Sequence, residues 1–249
     1  MIHFVGAGPG AVDLITVRGQ RLIEKTDVLI YAGSLVSDDF SDLLKPGASL
    51  YNSAYMTLEQ VCEIFLKSDE KGLDLVRLHT GDPSLFGAIA EQQAFLKKNH
   101  IPYDITPGVT AAFAAAAALG IEYTLPGISQ TLILTRAKGR TPVPDRETIE
   151  ALSATGSSMA IYLSVKSAAE VKEALLLGGY KETTPAAIVY RASWPDQRVI
   201  RTRVAELDRA QQESGIEKTA LLIVGDALLQ ADFDRSCLYD PDFSTEYRK

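Results

Sequence analysis

The stretch "HFVGAGPGAVDLIT", residues 3–16, decides how the chain begins to fold. Gly6-Ala7-Gly8-Pro9-Gly10-Ala11 fits the dinucleotide-binding pattern G-x-G-x-x-G/A. That pattern carries meaning only when a strand precedes it, a helix opens directly on it, and an acidic residue closes the next strand. Residues 2–5 read as a short buried strand. The next helix, 16–25, does not open on the glycines: Asp13-Leu14-Ile15 intervenes, and Thr16 is the better N-cap. Pro9 has no amide proton to offer a pyrophosphate. The second strand, "DVLIY" (27–31), carries its acid at the end away from a bound ribose. The stretch therefore reads as strand, glycine–proline turn at a ligand edge, and capped helix. An NAD-dependent oxidoreductase is the alternative that this reading disfavours.

Short apolar runs alternate with amphipathic segments outward from this unit. Strands are expected at 2–5, 27–31, 73–78 and 101–105, with a weaker one at 48–51, and helices at 16–25, 57–69, 84–98 and 109–119. This is the βαβ rhythm of a mostly parallel sheet. "GIEYTLPG" (120–127) interrupts it with a helix-ending glycine and a Pro-Gly turn. The expected division is a domain over 1–120, a linker over 121–129, and a second α/β domain over 130–249 ending in a polar tail. In the second half, strands are expected at 130–136, 158–164, 186–193 and 219–228, and helices at 146–153, 167–177 and 204–213. "QRVIRTR" (197–203) alternates apolar and basic residues, as a half-exposed antiparallel strand does, which predicts a mixed sheet.

Composition narrows the function. The 249 residues are 46% hydrophobic and 23% charged, ordinary for a globular protein, with a formal net charge of −7. An acidic balance argues against nucleic acid as partner. No apolar run approaches the ~20 residues that cross a membrane, and no signal peptide is apparent. Cys62 and Cys237 form no motif, so the cytoplasm is the expected compartment. The three histidines are scattered, and no bound metal is expected.

Ligands of open parallel sheets bind beyond the carboxyl ends of the strands. Glycine- and proline-bearing segments stand at such exits: Gly6 to Gly10, "HTGDPSLFG" (79–87) and "TPGVTAA" (106–112). Asp82-Pro83 also fits an N-cap with proline in the first turn, so Asp82 is either a helix cap or a ligand residue. In the second half, "TRAKGRTPVP" (135–144) brings Arg136, Lys138 and Arg140 together, and Arg191, Arg198, Arg201 and Arg203 add further positive charge. Arg136 and Arg191 close expected strands. Their planar guanidinium groups suit a polycarboxylate substrate. There is no nucleophile elbow, P-loop or Cys–His pairing, which points to positioning of two reactants more than to acid–base or nucleophilic chemistry.

"FVGAGPGAVDLITVRG", "DVLIYAGSLV", "RLHTGDPSLFG", "TPGVTAAFAAAAALG" and "LTRAKGRTPVP" together resemble the tetrapyrrole methylases over nearly the whole chain. "YAGSLV", "SQTLILTRAKGRTPVP" and the tail "LYDPDFSTEYR" are similar to the members that methylate C11 of precorrin-4 or its cobalt-containing counterpart in cobalamin synthesis. The resemblance implies two α/β domains with S-adenosylmethionine (SAM) in a cleft between them, as in class III SAM methyltransferases, and a homodimer. It implies cofactor contacts at Gly81, Asp82, Pro83, Phe86, Thr110, Ala111, Leu163, Ala192 and Ala220. It places Pro9, flanked by Gly8 and Gly10, near the methyl group. The implied substrate is a precorrin-4-type tetrapyrrole, with Arg136, Arg140 and Arg191 as candidate anchors of its carboxylates. Ala11-Val12 stands where many relatives have Asp-Pro, so no catalytic base is assigned there. Competing readings are a sister methylase acting at another ring position, an RNA-modifying relative, and a binding module for an acidic metabolite.

Overall fold

In the computed structural model, the described residues are 1–33, 36, 38–239, 243, 244, 246 and 247. Ser34 and Leu35 of "YAGSLV", and Asp240–Asp242, Thr245 and Arg248 of the tail, lie outside them. The chain divides into two compact units, Met1–Ala114 with Arg191–Asp196, and Ala115–Tyr190 with Gln197–Lys249.

The first unit contains β1 (Ile2–Gly6), α1 (Val17–Lys25), β2 (Val28–Tyr31), β3 (Ser49–Asn52), α2 (Leu58–Glu70), β4 (Leu75–His79), α3 (Ala90–Lys98) and β5 (Tyr103–Thr106). The strands form one wholly parallel sheet in the order β3-β2-β4-β1-β5. Alternate residues feed two cores, as a period of two requires. Ile2, Phe4, Ile30 and Leu75 pack on one face with Phe65 and Leu96 from α2 and α3. Val5, Leu29, Val76 and Leu78 pack on the other with Ile23 from α1. Helix starts follow local chemistry. The Thr16 hydroxyl accepts from Gly19 N (3.1 Å) at α1, and Thr57 with Gln60 makes a reciprocal capping box at α2.

The helix expected from residue 84 begins only at Ala90. Phe86 (φ 55°) and Ala88 (φ 49°) are left-handed and break the helical path. The Asp82 carboxylate takes the Ser84 amide at 2.8 Å in an Asx turn, so Asp82-Pro83 opens a turn rather than a helix.

Helix α4 (Ala111–Leu119) contains the point where the contact pattern divides. Its start lies beside Gly81, and its last carbonyl accepts from Arg201 (2.6 Å), a cation suited to a helix C-terminus. The second unit then adds β6 (Leu132–Arg136), α5 (Ile149–Ser153), β7 (Ser158–Tyr162), α6 (Ala168–Leu177), β8 (Pro185–Tyr190), β9 (Arg198–Arg203), α7 (Leu207–Ser214) and β10 (Ala220–Val224). Its sheet runs β6-β7-β10-β8-β9 and is mixed: β6 and β7 are parallel, while β10 is antiparallel to β7 and β8, and β9 to β8. β9 is half-exposed, its arginines outward. The segment 121–129 is held within this unit: Ser158 Oγ donates to Tyr123 O (2.8 Å), and Tyr123 and Leu125 are buried.

Candidate functional site

In the first unit the exits of β1, β4 and β5 meet backbone to backbone. Ala7 N donates to His79 O (2.7 Å), and Gly8 and Gly81 exchange hydrogen bonds as an antiparallel bridge (3.2 and 2.8 Å). A Cβ on Gly6 would stand 2.5 Å from Gly108 Cα and 2.6 Å from Gly81 O. Only glycine lets these turns approach so closely.

Asp82 binds the second turn to the third. Oδ1 accepts from the Ser84 amide and hydroxyl, and Oδ2 from Gly108 N at 2.9 Å. Partial burial acts to raise its pKa, but the Ser84 hydroxyl and the Gly108 and Ser84 amides outweigh it and hold the carboxyl below its ordinary range. An ionised carboxylate bonded on both oxygens is a poor general base. At the end of β4, the His79 ring is buried against Phe4, and among the described residues its Nε2 has no hydrogen-bond partner. Burial, with the Arg77 charge second, pulls its pKa down to about 3, so it is neutral near pH 7.

Gly81, Pro83 and Thr110 are buried, Asp82 and Ala111 partly so, and Phe86 is 45% exposed. The structure thus brings Gly81, Asp82, Pro83, Thr110 and Ala111 together with Gly6 and Gly108, while Phe86 stands on the turn that follows.

Sequence reasoning found the glycine turns and missed what lies against them. Residues Arg191–Asp196 belong to the first unit. Trp194 Nε1 donates to Pro9 O (2.9 Å), and Ser193 Oγ accepts from Ala11 N (3.0 Å). Gly10 has room for no side chain: its Cβ would fall inside the Trp194 indole. The Arg191 guanidinium lies over that indole, 4.6 Å from the ring centroid, and pairs with Asp196 at 2.8 Å. Ala192 is buried between them in sequence. The available signal was the chain's one tryptophan, placed beside Arg191 in "RASWPD".

In the second unit the strand register aligns the remaining candidates along one sheet edge. Arg136 pairs with Tyr162, Ile161 with Leu222, and Tyr190 with Ala220. The expected strands stop short here: Leu163 (φ 54°) ends β7, Arg191 (φ 46°) follows β8, and Thr219 (φ 56°) precedes Ala220. Left-handed backbone at non-glycine residues is costly and gathers at functional sites. Leu163 is also 73% exposed.

Arg136 donates to the carbonyls of Ala137 (3.3 Å), Thr141 (3.2 Å) and Pro142 (2.8 Å), closing the 136–142 loop around its own guanidinium. Arg140 is exposed on that loop. Arg198 lies over Tyr190 and bonds Ser214 O, and Arg201 bonds Leu119 O, so both support the fold. Among the described residues, no cluster of three or more His, Cys, Asp or Glu could hold a metal, and no helix is long and apolar enough to cross a membrane.

An α/β protein with glycine-built strand exits and an arginine-bearing sheet edge has a recognised counterpart. Residues 1–208 match the family model of the tetrapyrrole (corrin/porphyrin) methylases, and the chain belongs to that family. It is 47% identical, over 100% of its length and 96% of the relative's, to a cobalt-precorrin-4 C(11)-methyltransferase of Methanocaldococcus jannaschii. The X-ray structure of a cobalamin biosynthetic enzyme, cobalt-precorrin-4 methyltransferase, superposes with a TM-score of 0.89 at 44% identity, covering 91% of this chain and 95% of that one. A uroporphyrin-III C-methyltransferase of Thermus thermophilus, complexed with S-adenyl homocysteine, gives 0.76 at 26% identity, with 91% and 92% covered.

Proposed function

We propose that this protein methylates C11 of precorrin-4 or cobalt-precorrin-4 with SAM as methyl donor, in cobalamin synthesis. The observation that carries this reading is the 47% identity to a C11-methyltransferase over the whole chain. The working domains are residues 1–120, together with the Arg191–Asp196 segment, and the rest of 130–249, and the enzyme acts as a cytoplasmic homodimer.

The residues present fit the cofactor. Gly6 and Gly108 let the exits of β1, β4 and β5 close on one another. Left-handed Gly81 (φ 60°), with Thr110 Cα and Ala111 N 3.6 and 3.8 Å from where a Cβ would stand, leaves bare backbone at the turn for a ligand to approach. Gly81, Asp82, Pro83, Phe86, Thr110, Ala111 and Ala192 would hold it in the first unit. At the edge of the second sheet, Leu163 and Ala220 are further contact candidates. When bound, SAM supplies an electrophilic methyl group. Pro9, between Gly8 and Gly10, orients the acceptor carbon. A carbon that becomes quaternary has no proton to give up, which agrees with an Asp82 locked into loop contacts. Alignment of two bound reactants can supply about 7–11 kcal/mol in favourable systems. Arg140 and Arg191 anchor substrate carboxylates, and Arg136 shapes the loop that presents Arg140.

The test is incubation of the purified protein with methyl-labelled SAM and either precorrin-4 or its cobalt form, read by mass spectrometry and NMR. One labelled methyl at C11 is expected. A label at another ring carbon would assign the protein to a sister methylase, and no transfer to either substrate would overturn the reading.

A further inference from the structure

We propose that Trp194 is a positioning residue that sets the Pro9–Gly10 turn and the Arg191 guanidinium as one unit, and that it acts on capture of the tetrapyrrole. The assignment rests on reading Pro9 and Arg191 as substrate-side groups.

One flat side chain makes each connection. Its indole N–H holds the Pro9 carbonyl at 2.9 Å, and its ring occupies the space that a side chain on Gly10 would need. The Arg191 guanidinium lies over the ring, 4.6 Å from its centroid, where the π system attracts a cation. Asp196 pairs with Arg191 from the same segment at 2.8 Å. The Trp194 amide donates to Arg191 O (3.0 Å), closing the turn that carries both side chains. Ser193 adds a second tie to the glycine–proline loop through Ala11 N.

No other residue type does all of this. Phenylalanine would stack under Arg191 but donate nothing to Pro9. Histidine could donate but offers a smaller face to Gly10. Arg191 and Ser193 also hold left-handed backbone, at φ 46° and 73°. Such strain persists only where surrounding contacts over-determine it. The indole under Arg191 and its bond to Pro9 O hold this segment, and so does the bond between Ser193 Oγ and Ala11 N. A cation fixed beside a rigid turn can receive a carboxylate without first being ordered, which is what preorganisation means for affinity. Asp196 tempers the cation in the free protein and steers its fork.

The test uses the intact protein and four variants: Trp194→Phe, Trp194→Ala, Gly10→Ala, and Gly10→Ala with Trp194→Ala. Three quantities are read. They are the thermal midpoint, S-adenosylhomocysteine affinity by calorimetry, and binding of an octacarboxylate porphyrin by its own fluorescence, with KM and kcat where turnover is seen. Trp194→Phe should weaken porphyrin binding and raise the tetrapyrrole KM about tenfold. Its thermal midpoint should stay within about 3 °C of wild type, and its S-adenosylhomocysteine affinity within about twofold. Gly10→Ala alone should be at least as damaging, and much less so in the Trp194→Ala background, because the added methyl no longer meets the indole. Unchanged porphyrin binding and KM in both tryptophan variants would overturn the proposal. So would a parallel loss of cofactor and porphyrin affinity, and so would strict additivity of Gly10 and Trp194. If wild type fails to methylate precorrin-4, the proposed function falls, while porphyrin binding and the double-variant cycle still decide the role of Trp194.

Discussion

At the edge of the first sheet, Gly6, Gly81 and Gly108 touch through backbone atoms, and Asp82 bonds one turn to the next. Along the edge of the second sheet, Arg136, Leu163 and Ala220 follow one another with side chains in place, and Arg136 closes its loop through carbonyls. One edge is shaped by what its residues lack, the other by what they carry. The two should therefore answer substitution differently.

The sharpest contrast comes from adding a single methyl group. In Gly108→Ala the new Cβ would land on Gly81 O and 2.8 Å from Gly6 Cα, and neither backbone atom can swing aside. The expected cost is about 3 kcal/mol, at the upper end for overpacking, or a fall of roughly 6–12 °C in thermal midpoint. At Gly139, on the loop after β6, a Cβ would meet nothing within 4 Å. Gly139→Ala should stay within about 0.5 kcal/mol of wild type. Equal melting of the two variants would break the comparison.

At the side-chain edge, function should respond before stability. Arg140→Ala is expected to weaken tetrapyrrole binding at low salt by about 1.5–3 kcal/mol, the value of a charge-assisted hydrogen bond. Arg136→Ala should cost a similar amount by releasing the loop, so the double variant should lose little more than either single one. Full additivity would mean that Arg136 meets the substrate itself. Unchanged binding in both single variants would remove this loop from the site.

How far these features could be read in advance follows the same division. The strands at 2–5 and 27–31, the Thr16 cap and the glycine turns were legible because period-two burial, capping chemistry and glycine spacing are local properties. The half-exposed antiparallel strand at 197–203 was legible from its interleaved apolar and basic residues. Local propensity failed where long-range contacts overrode it. Ser84 to Ile89 has helical spacing, yet the Asp82 bonds to Ser84 and to distant Gly108 impose a turn. β10 enters between β7 and β8, an order that sequence proximity does not suggest. Trp194 and Pro9 are 185 residues apart, and nothing near either one announces the other. The sequence shows the charge of Arg136 at a strand end but not the carbonyls of Ala137, Thr141 and Pro142 to which its guanidinium donates.

The first edge also carries a buried proton-binding group. His79 is neutral in the fold, its pKa pulled from 6.5 to about 3 by burial and by Arg77. Below pH 6.5 the unfolded chain takes up a proton that the native state refuses. Stability should therefore fall as pH falls from about 6.5 towards 3, by on the order of 1 kcal/mol per pH unit. In His79→Phe this part of the slope should vanish between pH 6.5 and 5, measured by urea unfolding. An unchanged slope would show that the acid sensitivity lies elsewhere.

The smallest effect expected is a gain at the second edge. Leu163 holds a left-handed conformation while 73% exposed, so its side chain gives back little by packing. Glycine relieves that backbone strain, about 1–2 kcal/mol for an L-residue, but loses roughly 0.5–1 kcal/mol through the greater freedom of the unfolded chain. The balance predicts that Leu163→Gly is more stable than wild type by about 0.5 kcal/mol, a rise of roughly 1–2 °C. If Leu163 serves a ligand through its backbone, S-adenosylhomocysteine affinity should survive the loss of the side chain. A drop in affinity with the stability gain intact would show that the exposed isobutyl group itself makes the contact, and that the strain is maintained to present it.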